Sequence, residues 1–263
     1  MSSIISSLSS TQMSYLTDTQ MSKLSLSDVQ AMGSTQIAGL KTDQIRAITI
    51  TDVVDISTAA MQALQSSQMP GVTTAQMAAL TTTQLNAMTS SFAGLQSNQL
   101  AAITTGQITG LTSNGLLALG TGQFQELSPN AVAALTTAQL ASVSSDYSSL
   151  TTAQVQALTT GQLNSLGTAI NDLQSNQIAV LTAGQMPGLT TGGLQALGTQ
   201  LIQSLSATAI AALNTNQVSN LLTAQLDSLT TAQLEALTST QLANLSTGQV
   251  AALTSNQIPY LNL

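Results

Sequence analysis

An all-α solenoid of one-turn helices is the fold this sequence predicts, on three observations. An aliphatic or Met residue recurs every eight residues, at Leu8, Leu16, Leu24, Met32 and Leu40 and onward to Leu253 and Leu261. Most of these octads place a Gln three residues after a Ser or Thr, as in Ser9–Gln12, Thr73–Gln76 and Thr238–Gln241. A single long helix cannot hold such a pattern, because eight residues at about 100° each overshoot two turns by about 80° and the apolar stripe would spiral off any face.

With the recurring residue labelled a, the consensus from a to h is L-[ST]-[ST]-x-Q-[LIVM]-x-[AGS]. The pair at b and e has the form of a capping box, in which the hydroxyl at b accepts the backbone N–H at e and the side chain at e accepts the N–H at b. Position a then precedes the cap and the apolar f lies at the fourth helical residue, as in Met13, Ile37, Leu85, Ile108, Val155, Leu234 and Val250. Removing a member of one such box, at Thr152 or Gln154, is expected to cost about 0.5–2 kcal/mol. Pro129 falls at c, the first helical position, where its missing N–H is harmless. Pro70, Pro187 and Pro259 fall at g and forbid a longer α-helix. One octad buries too little to offset the entropy of ordering eight residues, so stacked neighbours must supply the remainder. The alternative is a β-solenoid, favoured by the Thr content but opposed by the odd spacings of a and f, which a flat strand would send to opposite faces.

The array runs through the whole chain as a single domain over 1–263, about 32 octads from Leu8 to Leu261. Three steps have seven residues instead of eight: Met88 to Leu95, Val143 to Leu150 and Leu166 to Leu173. The stretch 95–121 matches 173–199 at an offset of 78 residues, shortened step included. This is read either as a duplicated block or as one period of a superhelix.

Charged residues make up only 5% of the chain, against roughly a quarter in ordinary domains, while apolar residues reach 43%. The surface is therefore mostly neutral hydroxyl and amide, which opposes self-association weakly. The only basic residues are Lys23, Lys41 and Arg46 in a chain of net charge −7. That leaves no cationic row for a phosphate backbone, and no nucleic-acid partner is expected. His, Cys and Trp are absent, which removes the commonest bases, thiol nucleophiles and metal ligands. The hydroxyls have no base beside them and read as caps, so the sequence predicts no enzyme, no cofactor and no metal. Asp28, Asp52 and Asp146 stand at or near e and read as substitutes for Gln at a helix start. Gly120 and Gly192–Gly193 read as turns or close contacts, and Phe92, Phe124 and Tyr147, all at f, as core. No apolar run is long enough for a transmembrane helix, and MSSIISSLSS does not read as a cleavable signal.

The units LTTAQVQAL and LTTAQLEAL resemble the LTTAQ-type octapeptide tracts of large bacterial secreted and surface repeat proteins. The low aromatic content and missing Cys are similar to exported filament subunits. The resemblance implies export and a role outside the cell or on its surface. The sequence then suggests a structural protein that packs head to tail into a filament, sheath or layer, with itself as partner. The alternative is an adhesin stalk or a solenoid module binding a ligand, ice or glycan. The candidate assembly residues are the apolar and aromatic ones near the two ends: Ile4, Ile5, Leu8, Tyr15, Ile258, Tyr260, Leu261 and Leu263.

Overall fold

The computed structural model describes residues 3–262, with only the backbone of 144–146. Every regular element among the described residues is a short α- or 3-10 helix and none is a strand; the chain is an all-α solenoid and the β-solenoid alternative is not supported. The helices start where the octad says they should. In Thr74–Ala79 the Thr73 hydroxyl accepts the Gln76 N–H at 3.1 Å, and Gln76 Oε1 accepts the Thr73 N–H at 2.7 Å. Pro129 opens the helix Pro129–Ala134. In Thr152–Ala157 the N-cap is Thr151 and Thr152 is already the first helical residue, so the cap test moves by one position. Thr151→Ala is expected to lower unfolding free energy by about 0.5–2 kcal/mol in denaturant titration, with Thr152→Ala nearly neutral.

The two halves of the box are not equally retained. Where b is Gly33, Lys41 or Leu222, no side chain caps the helix, yet Gln36, Gln44 and Gln225 still accept the b-position N–H at 2.9, 2.7 and 3.1 Å. At other starts the hydroxyl stands alone, as at Ser57, Ser128 and Ser206, where e is Ala.

Each seven-residue step is a 3-10 turn: Thr89–Gly94, Ser144–Ser149 and Gly167–Asp172. Losing the Gln at e removes the box, and the tighter helix, with about three residues per turn, keeps the apolar f residues Phe92, Tyr147 and Ile170 facing inward. The octads holding Pro70, Pro187 and Pro259 also become 3-10 helices, Ser66–Gly71, Met186–Gly188 and Ile258–Tyr260, as expected where proline removes an α-helical donor.

The chain divides into two compact units, Met1–Leu135 and Thr136–Leu263, each built on the same coil. In the first unit, Gln44 reaches back to the carbonyls of Met13 and Leu16, which lie 31 and 28 residues earlier. In the second, Gln217 reaches Met186 and Leu189 at the same separations. The Gln rungs thus span 28 and 31 residues while other bonds between successive coils span 24 to 26, so one coil is a little more than three octads. Where a seven-residue step intervenes, as between Leu150 and Gln177, the separations fall to 27 and 30 and the register survives. The rungs set position e of one coil beside position a of the coil before.

The core is the column of a and f residues, such as Leu85, Met88, Ile108 and Phe92 in the first unit and Leu163, Ile178, Ile202 and Leu226 in the second. Phe124 and Tyr147 are buried as read, and the Tyr147 hydroxyl donates to the Leu140 carbonyl at 3.1 Å. Burial, with the negative charge of Asp172 added, pushes the Tyr147 phenol above its ordinary value. Coils approach most closely at h: a Cβ on Gly39, Gly71 or Gly94 would strike the backbone of Ser10, Thr42 or Ser66 in the preceding coil. Gly192 instead has open space, and Gly120 takes φ +66° at a turn.

Candidate functional site

The repeated chemical feature is the Gln carboxamide, and it carries two functions. Its oxygen closes the helix start within the octad; its nitrogen donates two hydrogen bonds to the coil before. Gln76 Nε2 donates to Ile45 O at 2.9 Å and Ile48 O at 2.7 Å, and Gln233 Nε2 to Ile202 O and Leu205 O, both at 2.8 Å. Gln76, Gln154, Gln177, Gln225 and Gln233 are buried as deeply as the aliphatic core, and every polar atom of Gln76 and Gln233 is matched. A carboxamide alone among common side chains offers one acceptor and two donors on a planar group. Glu could close the same box but has nothing to donate. These rungs point one way: donors face the earlier coil and acceptors the later one.

The rung changes wherever e is not Gln. Gly115 and Gly193 lack a side chain, and an Asn from the preceding coil takes over. Asn86 Oδ1 accepts the Thr112 N–H at 2.9 Å while its Nδ2 donates to Gly110 O at 2.9 Å. Asn164 makes the same pair of bonds with Thr190 N and Gly188 O at 2.9 and 2.8 Å. The two sets are 78 residues apart, the offset of the duplicated block, although Asn86 and Asn164 stand just before its bounds.

Asp28 stands at e in place of Gln, and its carboxylate accepts the Ser3 hydroxyl at 2.6 Å, the Ser25 hydroxyl at 2.7 Å and the Ser25 N–H at 3.0 Å. The Ser3 bond first, then those from Ser25, hold it below the ordinary carboxylate value of 3.8. A depressed pKa contributes stability that is present above the unfolded value and is lost as pH falls through the folded one. The stability difference between the native chain and Asp28→Asn should therefore be constant at neutral pH and shrink as pH drops below about 3.8, read from unfolding at a series of pH values. Asp52 keeps only the Thr49 hydroxyl, at 2.6 Å; the side chain of Asp146 lies outside the described residues. Asp43 pairs with Arg46 at 2.9 Å on the surface, a contact worth no more than about 1 kcal/mol. Among the described residues no cluster of three or more His, Cys, Asp or Glu could hold a metal ion, and no helix is long and apolar enough to cross a membrane.

The candidate assembly residues separate by exposure. Ile4 is 71% exposed and Tyr15 78%, while Leu8 is half-buried. Ile5 is not presented: it stands at f of the first, partial octad and is buried. Near the other end Ile258 and Tyr260 are exposed, Leu261 is half-buried, and Leu263 lies outside the described residues. Sequence reasoning missed two groups there. Val250, an f residue, is 50% exposed because no later coil covers it among the described residues. The Gln12 and Gln20 carboxamides close their own boxes, with no bond from either nitrogen to an earlier coil. The one-way direction of the rungs, absent from any single octad, is the signal that finds both.

No curated protein matches the chain, whereas the family model of the ALTTAQ repeat matches residues 92–129, 220–255 and 229–262. The chain carries ALTTAQ-type repeats.

Proposed function

We propose that this is a non-catalytic structural protein of the cell exterior or cell surface, whose copies stack end to end into a filament, sheath or layer. The observation that carries this reading is the polarity of the rungs. In the first unit the exposed Gln12 and Gln20 close their own boxes through the oxygen and make no bond from the nitrogen to another coil. At the last described coils the carbonyls of Leu237, Leu245 and Leu253 would be the next acceptors in the series set by Leu213, Leu221 and their predecessors. A donor face and an acceptor face on one molecule are complementary, so the contact is heterologous and generates an open polymer. Ile4 and Tyr15 in the first unit, and Val250, Ile258 and Tyr260 in the second, add exposed apolar surface, while the low charge of the chain leaves little repulsion. The exterior location is supported by the resemblance to secreted and surface repeat proteins.

Electron microscopy of the purified polypeptide in negative stain tests the reading. Fibres are expected from residues 1–263, with Ile258→Lys/Leu261→Lys remaining dispersed. A monodisperse monomer from the unmodified polypeptide at high concentration, stable for days, would reject assembly.

A further inference from the structure

Among the chain's asparagines only Asn114 is followed by glycine. Such a step is self-reactive: the glycine amide nitrogen, once it loses its proton, can attack the asparagine side-chain carbonyl, and glycine has no side chain to obstruct the approach. Here the two residues stand at d and e, the second and third positions of the helix Ser113–Leu117, with Asn114 exposed and Gly115 buried. The Gly115 N–H, the group that must ionise, donates to Thr112 Oγ1 at 3.1 Å, and the Thr112 hydroxyl donates in turn to Asn86 Oδ1 in the preceding coil at 3.2 Å. The same Asn86 oxygen accepts the Thr112 N–H at 2.9 Å. With glycine at e there is no Gln rung, so this chain of bonds ties the reactive nitrogen, through the cap, to the coil before. The matching turn 78 residues on keeps the cap, from Gly193 N–H to Thr190 Oγ1 at 3.1 Å, and keeps Asn164 against Thr190 N. Its counterpart of Asn114 is Gly192, which has nothing to react.

We propose that Asn114 is a site of spontaneous deamidation and isomerisation whose rate is set by the contact from Asn86. While that contact holds, the Gly115 nitrogen is engaged as a donor within a helical turn and is not free to swing onto the neighbouring carboxamide. Local opening of this one turn releases it. The nitrogen then bonds to Asn114 Cγ, the Cγ–Nδ2 bond breaks, and ammonia leaves with the proton lost from the amide, closing a five-membered imide. Water opens the imide at either carbonyl. Attack at Cγ restores the main chain and leaves aspartate, which a helix N-terminus accommodates. Attack at the other carbonyl leaves isoaspartate, whose main chain is one methylene longer. That displaces Gly115 N from Thr112 Oγ1 and disturbs the bond from Ala118 N–H to Asn114 O, at 3.0 Å in the native turn, beside the buried Leu116.

The experiment follows the full chain at mildly alkaline pH by mass spectrometry of its digests, reading the amide-to-acid mass change at Asn114 and separating isoaspartate from aspartate by chromatography. Conversion in the native chain should be at least tenfold slower than in a free peptide of residues 111–118. Asn86→Ala and Thr112→Ala should each speed it at least tenfold while circular dichroism stays helical. Thr112→Ser, which keeps the hydroxyl, should stay near the native rate, and Gly115→Ala should slow conversion at least tenfold in the peptide. Asn164→Ala, the same change at the matching turn, should leave Asn114 at the native rate, which separates release of this turn from general loosening. Native conversion as fast as in the peptide would overturn the proposal without recourse to any variant. So would a folded Asn86→Ala chain converting at the native rate, or an acceleration by Asn164→Ala as large as that by Asn86→Ala. None of these outcomes bears on end-to-end assembly, which the electron micrographs decide separately.

Discussion

Replacing Gln76 by Glu is expected to destabilise the first unit by about 3–5 kcal/mol, the range for an uncompensated buried charge. The substitution is nearly isosteric and leaves the box intact, because a carboxylate still accepts the Thr73 N–H. It removes only the two donors to Ile45 O and Ile48 O and sets an anion against two carbonyl oxygens at a site 1% exposed. Burial and those carbonyls favour the protonated acid, which raises its folded pKa. The part of the deficit due to ionisation should therefore be full above that raised pKa and vanish as pH falls below the unfolded value of about 4.3, while the protonated acid, with one donor, still lacks one of the two bonds. Gln76→Ala loses both functions and is expected to cost about 1–3 kcal/mol for each polar group left unsatisfied, with no such pH dependence. Chemical denaturation of both variants at two pH values separates them. A Glu variant as stable as the native chain at neutral pH would show that the rung contributes nothing.

A methyl group at Gly71 should cost about 1–3 kcal/mol or more, as overpacking does in a closed core. The new Cβ would fall on the Thr42 backbone of the preceding coil, which has no flexible side chain to give way. Gly106→Ala is the control, because that glycine lies inside the helix Thr105–Thr109 with nothing within 4 Å of the added carbon. It is expected to stabilise by up to about 1 kcal/mol through helix propensity and a less flexible unfolded chain. Opposite signs for one chemical change, read as shifts of the unfolding midpoint, distinguish coil-to-coil contact from local propensity.

What was legible in the sequence was local. The Ser/Thr–Gln spacing fixed each helix start, Pro129 confirmed the register independently, and the a and f positions gave the core column, including Phe92 and Tyr147. The nonlocal geometry was not legible. Nothing within an octad states how many of them close a coil, so the donor role of Gln36, Gln44 or Gln217 was hidden behind its capping role. The preference for Gln over Glu at e was the available clue, since capping alone would accept either. The seven-residue steps were visible as deletions, but their conversion to 3-10 turns depends on the core holding f in place. Asn86 and Asn164 look like ordinary surface residues until the coil register brings them to the starts at Thr112 and Thr190. Glycines at h read as small residues, and only the coil spacing shows that the Ser10, Thr42 and Ser66 backbones stand against them.

The rungs can be observed directly through the side-chain amide protons of Gln, by hydrogen exchange measured with NMR. The Nε2 protons of Gln76, Gln84, Gln217 and Gln233 should be strongly protected, because each donates to a buried carbonyl pair of the earlier coil. Those of Gln12 and Gln20, whose nitrogens make no bond to another coil, should exchange at the rate of free glutamine in dilute monomeric protein. Uniformly fast exchange at all six residues would contradict the coil-to-coil rungs and the solenoid built on them.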